Sequence, residues 1–200
     1  MSKEFLKALK DRRSIYAISS ESPISDEKIT EVVKEALQHV PSAFNSQSQR
    51  IVVLFGEGHK KLWNITLETL RKIVPADSFA STEEKISSFA AGHGTVLYFD
   101  ETKITEGLAQ QFALYKDNFK PWSEHSIGML QLAIWTALEQ EGLGATLQHY
   151  NPLIDDEVKS TFNIPASWRL IAQMPFGKPA APAGEKQFAP LEDRIIVVKD

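Results

Sequence analysis

The segment Glu124–Glu141, running through SIGMLQLAIWTALEQE, is the strongest constraint in the chain, because it reads as a helix with apolar side chains on nearly every face. A helix without a wet side must be covered all round, so it belongs in the middle of the structure or in a subunit interface. Its apolar run, Ile127 to Leu138, is broken by Gln131 and Thr136. A bilayer needs about 20 such residues, so no membrane insertion is expected. The other elements must therefore wrap this helix.

The wrapping elements can be placed by period and punctuation. Helices are expected over 3–12, from an N-cap at Ser25 to a stop at Pro41, over 58–73, and from a Ser81/Glu84 capping box to Ala91. Further helical patterns cover 103–118 and 154–162. Strands are expected at Arg50–Phe55, Thr95–Phe99, Ala145–Gln148 and Trp168–Met174. Two hundred residues, 42% hydrophobic and 24% charged, suit one soluble domain spanning 1–200.

Residues 177–190, GKPAAPAGEKQFAP, read differently. Pro179, Pro182 and Pro190 among Gly and Ala give an extended arm with no core of its own. Arg194–Val198 then reads as a strand in need of a partner. It either returns to its own sheet, which the sequence alone favours, or joins a distant edge, including one in another subunit.

Several chemistries are excluded or disfavoured. With no cysteine, there is no disulfide, thiolate metal site, iron–sulfur cluster or cysteine nucleophile. The five histidines have no pair at helical ligand spacing, so no metal is expected. A formal charge of −4 with scattered basic residues offers no footprint for nucleic acid. The first thirteen residues lack an apolar signal core, and a cytoplasmic location is expected. Serine-hydrolase, Walker and zinc-protease motifs are missing. Gly56-Glu-Gly58 lacks a third glycine and reads as a strand-to-helix turn.

What remains is a scatter of polar residues at element ends. Arg12, Arg13 and Ser14 could grip a phosphate and a carbonyl edge, since arginine presents a fixed fork of donors. A solvated helix end explains the same triplet. The loop Pro41–Gln47, PSAFNSQ, could read a heterocycle's edge or simply form Asx-type turns. Leu147-Gln-His-Tyr-Asn151 follows a strand, and Lys186 stands in the arm.

In this order the segments RRSIYAI, PSAFNSQ, the apolar helix running into GLGATLQHYN, and the late lysine resemble the nitroreductase superfamily. The closer likeness is to its compact branch of fungal and bacterial nitroreductase-like proteins, and it covers nearly the whole chain. The resemblance implies an α+β fold on a mixed, largely antiparallel sheet flanked by helices. It also implies a homodimer with FMN at the interface, and a C-terminal arm that adds a strand to the partner's sheet. That reverses the preference for the Arg194–Val198 strand stated above.

By the same resemblance, Arg12, Arg13 and Ser14 hold the flavin phosphate and pyrimidine end, and Lys186 adds charge to the phosphate. Asn45 and Gln47 come from the other subunit. Leu147, Gln148 and His149 pass the flavin's central ring, and Tyr16 occupies a cofactor-binding position. Tyr16 stands where many relatives have a basic residue, and His149-Tyr150 where many have Glu-Gly. No acid–base residue is needed, because hydride transfer asks for positioning. The implied function is an FMN-dependent oxidoreductase passing electrons from NAD(P)H to nitroaromatics, quinones or similar acceptors by a ping-pong cycle. The alternatives are a flavin-binding sensor with little turnover and, behind it, a domain that has lost its cofactor.

Overall fold

The strand Gly94–Glu101 (β3) organises the molecule, because its alternating side chains enter two separate cores. Val96 and Tyr98 pack on one face with residues of α2 (Asp26–His39) and α6 (Phe119–Gln140). Leu97 and Phe99 pack on the other with α3 (Gly56–Arg71), α4 (Phe79–Ala90) and α7 (Asp155–Thr161). The result is an α+β arrangement of three layers with the sheet in the middle. The computed structural model describes residues 2–199.

β3 lies antiparallel between β2 (Gln49–Phe55) and β5 (Trp168–Pro179). The far side of β5 takes two short strands, β4 (Gly144–Ala145) and β1 (Ile18–Ser19), and a parallel bridge joins Ser14 to Ala145. The sheet is thus mixed and largely antiparallel. Tyr98 pairs with Ala172 but Phe99 with Leu170, so Ile171 is an extra residue on β5. This bulge switches the phase of β5, and Ala172, Met174 and Phe176 face one core while Leu170 faces the other.

The element ends correct several expectations. Ser25 does cap α2, accepting from the Lys28 amide at 3.3 Å. The Ser81/Glu84 box is not formed. A 3-10 turn at Ala76–Ser78 starts α4 early, and Ser81 lies inside its first turn, donating to the Ser78 carbonyl. The 103–118 pattern divides into α5 (Thr102–Gln111) and a 3-10 turn, Ala113–Asn118. α6 begins at Phe119, five residues before Glu124, with Pro121 tolerated in its first turn. The Ala145–Gln148 strand shrinks to β4 plus one bridge, Gln148 to Gln173.

β5 runs on to Pro179, beyond Met174, so the arm starts at 180 rather than 177. Gly177 permits this: a Cβ there would stand 2.1 Å from the Ser19 carbonyl oxygen. Arg194–Val198 forms no strand within this chain; a turn closes on the Leu191 carbonyl, and Ile196 is 90% exposed.

α6 buries Ile127, Leu130, Ile134 and Leu138 at helical spacing. Its outer side, however, leaves Met129 44% and Leu132 42% exposed. The complete covering expected of this helix is not supplied by one chain. Among the described residues, no helix is long and apolar enough to cross a membrane.

Candidate functional site

α1 (Ser2–Asp11) ends at a strand edge, and this fastens the Arg-Arg-Ser triplet. The Ile15 amide donates to the Ala145 carbonyl at 3.0 Å, beside the Ser14–Ala145 bridge. The close approach needs Gly144, where a Cβ would meet the Ile15 Cβ at 2.8 Å. Arg12 lies with its guanidinium 4.3 Å over the Trp135 ring of α6. Its Nε is buried without a hydrogen-bond partner. Burial, with the nearby charge of Arg13, lowers the Arg12 pKa from its ordinary value. A half-buried cation with an unsatisfied donor is a good place for an anion or carbonyl oxygen.

The arm closes the other wall. Arg13 donates from a terminal nitrogen to the Gly184 carbonyl at 2.7 Å. Arg12, Arg13, Ser14 and Tyr16 thus share a cleft of about 440 Å³ with Gly184, Glu185 and Lys186. Five of the ten site residues expected from the sequence meet here. Lys186 also lies over Phe188, with its Nζ 5.1 Å from the ring centre.

Leu147, Gln148 and His149 continue the strand edge that holds Ser14. Gln148 exchanges both backbone bonds with Gln173, at 2.7 and 2.9 Å. Amides alternate along extended backbone, so those of Leu147 and His149 face away from β5. Residue 147 lies two steps from Ala145, about 7 Å at strand rise. The free amides therefore follow directly on the cationic triplet. The Gln148 side chain is not available to the cleft: it is buried and donates to the Thr146 hydroxyl at 3.1 Å. Gln173, fully buried, pins the next corner by accepting from the Tyr150 amide at 2.7 Å.

Asn45 and Gln47 lie elsewhere. Their loop packs on the start of α6, where Phe44 stacks on Trp122 at 5.9 Å and meets Phe119 edge-on at 5.3 Å. Arg12 reaches the same helix at Trp135. Thirteen residues at 1.5 Å each separate the two positions by about 20 Å. One chain does not bring Asn45 and Gln47 to the Arg12 cleft. Phe44, Asn45 and Gln47 all have positive φ, at 57°, 48° and 49°. Three strained non-glycine residues in four positions mark a loop shaped for something other than stability.

Sequence reasoning missed Trp135, which reads as one more apolar residue of α6, and the aromatic group Phe44, Phe112, Tyr115, Phe119 and Trp122. The frequency of aromatics over 112–122 was a usable signal for the second. Among the described residues, no three His, Cys, Asp or Glu side chains cluster as a metal site would need.

Comparison with known proteins identifies the family and the fold. The model of the Nitroreductase family matches residues 9–178. HBN1 from Saccharomyces cerevisiae is 40% identical over 186 residues, 92% of each chain. Nitroreductase CinD from Lactococcus lactis, solved with 4-nitrophenol, superposes with a TM-score of 0.89 at 45% identity, covering 98% of this chain and 100% of its own. The same enzyme was also solved with chloramphenicol. A Desulfovibrio desulfuricans structure solved with FMN shares the fold at 17% identity, with a TM-score of 0.72 and 97% and 96% coverage.

Proposed function

The chain belongs to the nitroreductase family, and from that premise we propose that it is a cytoplasmic, FMN-dependent oxidoreductase that works as a homodimer. It carries electrons from NAD(P)H to nitroaromatics, quinones or similar small acceptors, in two alternating half-reactions at one site. The observation that carries this reading is the Ser14–Ala145 bridge. It sets two arginines and a hydroxyl beside a strand edge with free amides, and the arm brings a lysine to the same cleft.

The residues present fit FMN. Arg12 and Lys186 would hold the phosphate, and Ser14 and the Arg12 side the pyrimidine edge. A free amide at Leu147 or His149 would donate to the central ring. FMN, when bound, supplies a ring that takes up and returns two electrons. The chain's part is to position and to tune: cations at the pyrimidine side favour the reduced, negatively charged ring. The mobile substrates need only an open face and close approach.

Asn45 and Gln47 would complete this site from the second subunit, since their own chain holds them about 20 Å away along α6. The exposed Met129 and Leu132 stripe is the surface on which that subunit would pack. Phe44, 50% exposed next to Asn45, gives the acceptor a flat apolar surface. A nitroaromatic acceptor also accords with the 4-nitrophenol held by the similar CinD.

The purified protein is expected to be yellow, to bleach anaerobically with NADH or NADPH, and to recover its colour with a nitroaromatic or quinone. Colourless protein that refuses added FMN overturns the reading. Bleaching too slow for turnover replaces it with the sensor.

A further inference from the structure

We infer that Arg13 is a positioning residue, whose guanidinium ties the C-terminal arm to the body at Gly184 and so keeps Lys186 in the cleft. The tether is read from the structure itself; its consequence for cofactor retention rests on the FMN reading above.

Among the described residues, the Arg13–Gly184 contact is the single hydrogen bond between residues 181–199 and the rest of the chain. The last bond before it runs from the Ala180 amide to the Ala17 carbonyl. Beyond that point the arm has neither helix nor strand, and its remaining backbone bonds close only its own turn on Leu191. A Pro-, Gly- and Ala-rich stretch has no means of fixing itself. One charge-assisted bond to a carbonyl therefore decides where it lies.

The location of the bond gives it a function. Arg13 stands in the wall between two clefts, the one of about 440 Å³ with Arg12 and Ser14, and another of about 610 Å³ over Leu6, Leu9 and Phe188. Gly184, Glu185 and Lys186 border both. Lys186 is two residues from the tethered carbonyl, at most about 7 Å of chain. A slip of one residue would put Glu185 where Lys186 stands, replacing an ammonium with a carboxylate beside the phosphate. Fixing the Gly184 carbonyl thus sets where the Lys186 ammonium and the Glu185 carboxylate stand along the cleft. Arginine suits the task, since one nitrogen can hold the carbonyl while its other donors stay free.

The test uses the chain's lack of cysteine. A nitroxide on Gln187→Cys, in flavin-free protein, is expected to show an immobilised component that Arg13→Ala removes, Arg13→Lys partly keeps and Arg12→Ala leaves unchanged. FMN affinity is then measured for Arg13→Ala, Lys186→Ala and the double variant. Each single change is expected to weaken binding about tenfold, the usual scale for a charge-assisted bond. The double variant should lie within about twofold of Lys186→Ala, because the two residues act through one contact. Equal label mobility with and without Arg13 overturns the tether, whatever the protein does with FMN. Multiplying affinity losses overturn the route through Lys186 and make Arg13 a direct ligand. Wild-type protein that takes up no FMN fails the flavin reading alone, and the label still decides the tether.

Discussion

The two faces of the sheet are finished to different degrees. On the α3/α4 side, Leu62, Trp63, Ile86 and Phe89 are all but inaccessible, and the buried His59, Thr66 and Thr95 are hydrogen-bonded. Thr95 accepts from the Trp63 indole at 3.0 Å and lies 2.8 Å from His59 Nδ1, while His59 Nε2 reaches the Ala90 carbonyl at 3.2 Å. The α6 side instead leaves Met129 and Leu132 in solvent and keeps an unpartnered Arg12 Nε and a strained loop. It also carries both halves of the candidate site, one at each end of the same helix. A closed face gives stability, and an open one is where a second copy and a cofactor would find surface and donors.

The largest expected effect belongs to the closed face. Burial lowers the His59 pKa to about 4, against an ordinary value near 6.5. The unfolded chain therefore binds this proton more readily than the folded one. Stability is fully present above about pH 6.5 and declines as pH falls towards 4, by roughly 3 kcal/mol. His59→Gln, which cannot titrate, should flatten that part of the dependence. Urea unfolding of both proteins between pH 7 and 4 is the measurement. Parallel curves would mean that His59 charges without loss and that this face is looser than its packing implies.

A smaller effect sharpens the other half of the comparison. Arg12→Ala and Asn45→Ala should each weaken FMN binding, the first by about 1.5–3 kcal/mol. If the two residues serve one site from different subunits, co-assembly of the two variants restores function. Random pairing in a two-fold dimer leaves about a quarter of all sites with both residues intact. FMN titration of the mixed assembly, against each variant alone, should show that tight fraction. No recovery would mean that a single chain completes its own site.

Local signals were legible on both faces beforehand, and the long-range contacts of the candidate site were not. The short, largely apolar run Thr95–Phe99 and the Ser25 cap of α2 are local signals, and both elements formed where expected. The start of α4 was misplaced because Ser81 and Glu84 have capping-box spacing, while the chain turns earlier at Ala76–Ser78. Gly177 and Pro179 looked like the root of an arm. They extend β5 because a strand of two residues, too short to read, crosses there at Ser19. The cleft depends on a bridge between Ser14 and Ala145, 131 positions apart in the chain, and on a stack on Trp135. No local pattern encodes such contacts, so its residues could be grouped only by resemblance.

The smallest effect has opposite signs for stability and for binding. Gln47 holds φ at 49° with little help from its side chain, which only reaches the Asn45 carbonyl at 3.5 Å. Its backbone is fixed by a bond from its amide to Ser42 Oγ at 2.9 Å and by Arg50, which donates to its carbonyl at 2.8 Å. Glycine would keep both bonds and remove a left-handed penalty of about 1–2 kcal/mol. Its extra chain entropy takes back roughly 0.5–1 kcal/mol. Gln47→Gly should therefore gain about 0.5–1 kcal/mol in urea unfolding. Asn45→Gly should gain less, because asparagine already tolerates this region. If Gln47 is kept for the partner's cofactor, the same variant binds FMN several-fold more weakly. A variant that is more stable and binds FMN as before would make the strain a property of the loop alone, and the open face would be left with Asn45 as its contribution to the neighbouring site.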